Sequence, residues 1–398
     1  MSIKVLNKKS IVPIFIFIVV ALISSPLLLK IYSNKQDTNN LSTEVTNHVL
    51  GVSITASMPF PSINNTITSP TTIIPSTVIV TSSISTNVQK NLYSFKIVSA
   101  WLPSWDYKNA KDSFYRNITK FTDINPTYYN LNDNGDIQSN SVSCDQDLIK
   151  KSHNNNVRVV PTITNSSKAS FSKLSLDNIK LKSHNDFIIS EINKCHYDGI
   201  DIDYEALAAQ DKNTFTNLFK DLSDKLHKES KILSIFVSPK DPKYDSDTQK
   251  VQDLSFINQN FDQVKTYTYD YSSTAGPNSP IYWDVNILNS FLNQISPSKL
   301  IFGIPLYGTE YTNSNVKSTK TYLQIQNILA SLNQSPTIED SSKEKYIEYY
   351  VSNQRHQIWY QDSDSIKYRY DLAKSKDIAG IALWRLGSED NNSINLLK

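Results

Sequence analysis

From about Leu92 onward, short runs of apolar residues recur at a regular spacing. They fall at Phe95–Trp101, Ile124–Asn130, Val157–Thr164, Gly199–Tyr204, Ile232–Val237, Gln263–Tyr269, Leu300–Leu306 and Ile378–Trp384, and each reads as a strand. Between them lie segments with apolar positions three and four apart, such as Asp211–Leu226 and Trp283–Gln294, which predict amphipathic helices. Eight strands alternating with helices over residues 92–398 predict an α/β protein, a (β/α)8 TIM barrel. The interval from Tyr307 to Asp377 is too long for one helix. Lys345–Ser352 and His356–Gln361 read as paired strands, so a small α+β insertion at about 307–361 is expected between strands seven and eight.

The N-terminal part follows neither period. A basic stub, residues 1–10 with Lys4, Lys8 and Lys9, precedes an uncharged run over 11–29. At ~1.5 Å per residue that run reaches roughly across the hydrocarbon of a bilayer. A cleaved signal peptide starts in the same way, but this run is long for one and no small-x-small site follows before Lys30. The expectation is an uncleaved signal-anchor with the lysines cytoplasmic, a membrane partner for this one segment, and an exported remainder. Residues 36–91 are rich in Ser, Thr, Asn and Pro with few charges and no helical period, which predicts an extended stalk.

Charge adds an exclusion. Forty lysines and arginines against 38 acidic residues leave a formal charge of +2, so no basic field invites nucleic acid. Cys144 and Cys195 can form at most one bridge; two half-buried free thiols are the expectation. No clustered Cys/His spacing predicts a zinc site.

The segment Asp198-Gly-Ile-Asp-Ile-Asp-Tyr-Glu205 carries candidate chemistry. Side chains alternate across a strand, so Asp201, Asp203 and Glu205 share one face and Ile200, Ile202 and Tyr204 the other. Like charges this close cannot all ionise, and a shared proton would keep Glu205 protonated as a general acid near neutral pH. A metal site is the weaker reading, because one strand presents its ligands in a line and not around an ion.

That segment matches the DGxDxDxE signature and resembles family 18 glycoside hydrolases, the chitinase-like barrels. Val98-Ser-Ala-Trp-Leu-Pro-Ser-Trp105, Ser234-Ile-Phe-Val-Ser-Pro-Lys240, Tyr267-Thr-Tyr-Asp270-Tyr271, Gly303-Ile-Pro-Leu-Tyr-Gly308 and Gly380-Ile-Ala-Leu-Trp384 resemble the family's other strands in order. The resemblance implies cleavage of β-1,4-linked N-acetylglucosamine polymers (chitin, chitooligosaccharides or peptidoglycan glycan) with retention by substrate assistance. It implies Glu205 as acid, Asp203 orienting the substrate acetamido group, Asp201 sharing charge with Asp203, and Tyr269 donating to the acetamido oxygen. It implies sugar contacts at Asp270 and neighbouring Tyr271, with Trp384 as the floor of the site. No metal or organic cofactor is implied, and the chain is expected to act as a monomer. Trp101, Trp105 and Tyr307 are candidates for outer sugar platforms or for core packing. By pleat alone only one of Tyr269 and Asp270 should face inward. Tyr267 replaces the family's usual methionine, and Ala206-Leu207 replaces the Tyr-Pro of typical chitinases. The Leu383–Asp390 ending looks more like bacterial wall- and spore-associated members. A chitinase-like lectin that binds without cutting is the alternative.

Overall fold

The computed structural model describes residues 93–241 and 246–398. The expected stub, membrane span and stalk lie outside the described residues. Among the described residues no helix is long and apolar enough to cross a membrane.

Eight parallel strand positions close a barrel: β1 (Ile97–Leu102), β2 (Asp123–Leu131), β3 (Thr162–Asn165), β4 (Gly199–Tyr204), β5 (Ile232–Val237), β6 (Gln263–Tyr267), β7 (Leu300–Pro305) and, last in the chain, β13 (Gly380–Trp384). Each pairs with its sequence neighbour, and β1 closes the ring by pairing with both β2 and β13. The third position is split by Val160-Pro161, so Arg158–Val159 and β3 both pair with β2. Helices such as Lys212–Lys228 and Ile281–Leu292 cover the outside at the expected places, with ends displaced by one or two residues.

Two glycines set close approaches at the base of the ring. A Cβ on Gly199 would lie 2.1 Å from the Ile232 carbonyl oxygen, and one on Gly380 would lie 1.9 Å from that of Ile97. Ile200, Ile202 and Tyr204 of β4 are buried in the layer between ring and helices. There the Tyr204 hydroxyl meets His184 Nε2 at 2.6 Å, on helix Asn178–Cys195.

Between β7 and β13 an antiparallel sheet forms from β8 (Tyr307–Thr312), β9 (Val316–Thr321), β10 (Thr337–Glu339), β11 (Glu344–Val351) and β12 (Gln354–Tyr360), in the order β9-β8-β12-β11-β10. Helix Tyr322–Leu332 packs on it through Ile325, Ile328 and Leu329, against Ile347, Ile358 and Tyr360.

The cysteine expectation is overturned. Cys144 and Cys195 form a disulfide with Cα atoms 5.5 Å apart. Cys144 adopts a left-handed conformation (φ 60°), its N–H donates to the Tyr197 hydroxyl at 2.9 Å, and Cys195 ends the long helix beside it. Folding joins positions 51 residues apart that no local pattern connects.

Candidate active site

The carboxylate row stands at the C-terminal end of β4, where barrel active sites form. Asp201 is fully buried inside the ring, Asp203 lies above it, and Glu205 follows the strand and opens onto the cleft. Asp198, first residue of the motif, does structural work instead. Its carboxylate accepts from the Val159 N–H (2.7 Å) and meets His153 (2.9 Å), clasping neighbouring segments together.

Asp201 is saturated with donors. Lys265 Nζ lies 2.8 Å from Oδ1, while Thr162 Oγ1 (3.0 Å) and Trp101 Nε1 (3.2 Å) donate to Oδ2. Lys265 is itself fully buried, so the row contains a cation that the octapeptide alone does not reveal. The signal was available, because alternation along Gln263–Tyr267 puts Gln263, Lys265 and Tyr267 on one face. Asp203 Oδ1 is sealed from solvent and has no hydrogen-bond partner. Burial, then the charges of Glu205 and Asp201, raise the Asp203 carboxyl well above the usual carboxylate range, while Lys265 pulls against them. Although Glu205 opens onto the cleft, the crowded walls desolvate its carboxyl and, with the charge of Asp270, raise it too.

Tyr269 and Asp270 both reach the cleft, which resolves the conflict with the pleat. Strand β6 ends at Tyr267, and Asp270 is left-handed (φ 59°), so alternation does not govern either residue. The Asp270 N–H donates to Asn278 Oδ1 at 2.9 Å. Burial raises the Tyr269 hydroxyl well above its ordinary value, which keeps it a donor.

Three neighbouring spaces surround these groups. An inner pocket of about 170 Å³ is lined by Trp101, Asp203, Glu205, Phe236, Tyr269, Asp270 and Trp384. A space of about 380 Å³ on the Glu205 side includes Ser238, Gln249 and Trp283. A larger one of about 870 Å³ runs past Trp384, Trp105 and Tyr307 to Thr319 and Leu323 of the insertion and to Arg385. Asp270 lines all three.

The aromatic candidates divide. Trp105 is 68% exposed, with its ring 6.1 Å from Trp384, and can present a platform. Trp101 is 2% exposed; it bonds Asp201 and packs edge-on against Trp384 at 5.7 Å, a pillar beneath the site and not an outer platform. Tyr307 is nearly buried at the cleft wall, 6.2 Å from Tyr269. Tyr271 is absent from the lining of these spaces and packs instead on Trp283 (5.1 Å) and Tyr282 (6.0 Å). Ser238, Gln249 and Trp283 were not foreseen as site residues: Ser238 follows β5 within the Ser234–Lys240 segment, Gln249 lies in the short helix Asp247–Val251, and Trp283 stands near the start of helix Ile281–Leu292. Among the described residues no group of three or more His, Cys, Asp or Glu side chains is disposed to hold a metal.

A closed parallel barrel with Glu205 at a strand end and with Asp203, Tyr269 and Trp384 in the same pocket has the build of a glycosidase. Residues 98–390 match the model of glycosyl hydrolases family 18, and the chain belongs to that family. It is 25% identical over 219 residues to the uncharacterized glycosylase YvbX of Bacillus subtilis, covering 53% of this chain and 63% of that protein. Over 252 residues it is 25% identical to the cortical fragment-lytic enzyme of the same organism, covering 58% of this chain and 57% of the relative. The chain thus spans about three-fifths of the length of these relatives. The fold is shared with the Bacillus megaterium spore cortex-lytic enzyme SleL (TM-score 0.70, 18% identity, 77% of this chain and 74% of that one). It is also shared with a Chromobacterium violaceum chitinase (TM-score 0.70, 19% identity, 75% and 97%).

Proposed function

We propose that this glycosidase cleaves β-1,4 linkages of an N-acetylglucosamine-containing wall glycan, with retention of configuration and assistance from the substrate's own acetamido group. The observation that carries the reading is the inner pocket itself, where Glu205, Asp203, Tyr269 and Trp384 meet in a space fit for one sugar ring. The ring lies over Trp384, and Glu205 gives its proton to the glycosidic oxygen as the bond to C1 breaks. The acetamido oxygen then bonds to C1, Tyr269 donates to that oxygen, and Asp203 accepts from the acetamido N–H. Water attacks C1 next, the bond from C1 to the acetamido oxygen breaks, and the water's proton returns to Glu205. Because Glu205 lines the smaller side space and Trp384 the larger one, the leaving portion occupies the former and the retained portion the latter.

One relative is named a cortical fragment-lytic enzyme, which favours a bacterial cortex glycan over chitin as the substrate. For location we propose a membrane-anchored chain with its barrel exported. The Cys144–Cys195 bridge supports this, since such bonds persist in oxidising compartments.

Incubating the purified chain with peptidoglycan and with chitooligosaccharides tests the activity. Glu205→Gln should lower the turnover rate roughly 10²–10⁴-fold while binding persists. Binding of both substrates with no turnover by the unaltered protein would leave a lectin and refute the enzyme.

A further inference from the structure

We propose that Lys265 is a positioning residue for this reaction: its buried ammonium holds Asp201 in place as an anion and so confines the mobile proton of the row to Asp203 and Glu205. The inference rests on the glycosidase reading of the site and concerns which carboxylates share the proton.

The geometry separates Asp201 from its two neighbours. Both of its oxygens are taken by donors, one from the Lys265 ammonium at 2.8 Å and the other from Trp101 and Thr162. A proton on Asp201 would displace one of these donors and leave a fully buried cation without its counter-ion. Among the described residues, the groups that face Asp201 from the neighbouring strands supply no second anion to Lys265, and the only other acids near it are those of the row itself. From β1 comes Trp101, from β3 Thr162, from β5 Ser234 with an unpartnered hydroxyl, and from β4 itself Asp203 and then Glu205. Asp123, another fully buried acid of the ring, is bound by Arg158 and Gln263. Asp203 is the opposite case, with Oδ1 sealed and unpartnered between two acids.

A hydrophobic side chain of similar length would fill the centre of the ring without desolvating a charge, so plugging alone does not call for lysine. The ion pair adds no net charge to the pocket. Asp203 and Glu205 therefore share one proton between them. When Glu205 passes it to the glycosidic oxygen, the pair goes from one negative charge to two, and the charge gained offsets the positive oxazolinium formed as the leaving-group bond breaks and the acetamido oxygen bonds to C1.

The test is the pH profile of kcat/KM for the full chain on a p-nitrophenyl chitooligosaccharide. Unaltered protein is compared with Lys265→Met, Asp201→Asn and the double variant. The alkaline limb reports loss of the proton from the pair. Lys265→Met should move it up by about one pH unit, because a nearby buried positive charge is gone. Asp201→Asn should move it down, and the double variant should restore it to near its original place. A limb unmoved by Lys265→Met, with the rate lowered equally at every pH, would show a plug and overturn the proposal. If Lys265→Met alone fails to fold, the step from Asp201→Asn to the double variant decides, and a limb that does not rise there overturns it. The infrared carboxylic-acid band of the same variants reads the same proton without turnover. A chain inactive on every substrate therefore refutes the glycosidase reading while the band still decides the role of Lys265.

Discussion

Removing the Cys144–Cys195 bridge should destabilise the barrel by about 4 kcal/mol. The bridge closes a loop of 51 residues that contains β3 and the helices Lys168–Ser175 and Asn178–Cys195. Opening such a loop restores chain entropy to the unfolded state worth about 4 kcal/mol at 25 °C, more than most single core contacts give. Alanine at both positions is the suitable replacement, because Cys195 is fully buried and a serine there would add an unsatisfied hydroxyl. In a domain of this size that loss lowers the unfolding midpoint by roughly 6 °C. Calorimetry of the double-alanine variant and of the unaltered chain, each with and without reductant, measures it. Reductant should shift only the unaltered chain, towards the variant. The bridge lies outside the three spaces around Glu205, so kcat/KM below the midpoint should stay within about twofold. A variant that melts within a degree or so of the unaltered chain would refute the entropic argument.

Two further outcomes follow from the cleft. Tyr269→Phe removes a buried hydroxyl from the inner pocket and should lower kcat by about 10²-fold with KM little changed, read on the same chromogenic substrate. An unaffected kcat would mean that the hydroxyl does not meet the acetamido oxygen. Glu344→Gln weakens a buried clasp: Glu344, at the start of β11, accepts from the N–H groups of Asn278 (3.0 Å) and Ser279 and faces Arg369 at 3.6 Å. Losing that charge should cost about 3 kcal/mol in urea unfolding and raise KM, because the loop carrying Asp270 loosens; equal stability and KM would count against the clasp.

The barrel was legible because each of its strands buries an apolar stretch and the helical period fills the gaps between them. The carboxylate row was legible because alternation is a covalent property of an extended chain. What stayed hidden depends on contacts across the ring. Lys265 shares the inward face with Gln263 and Tyr267, yet only folding shows that it meets Asp201, 64 residues away and two strands round the ring. The disulfide needed a 51-residue closure. Trp101 and Trp105 look alike in sequence; the first lies within β1 and points into the ring, while the second follows the strand and stands in solvent. Tyr271 sits beside the site in sequence but belongs to the packing around Trp283.

Asp270 shows how the insertion enters the chemistry. Its main chain is held from the barrel side by buried Asn278, whose own N–H is fixed by Glu344 of the insertion. Its carboxylate is half exposed and pairs at 2.7 Å with Lys317 of β9, itself a third exposed. An exposed pair of this kind contributes only about 0–1 kcal/mol, whereas breaking the buried clasp costs several times more. Under the proposed function, a sugar hydroxyl reaching Asp270 would therefore take its carboxylate from Lys317 at little cost while the backbone stays where it is. The insertion thus supplies both the fixed support and the exchangeable partner of the one residue that touches every part of the cleft.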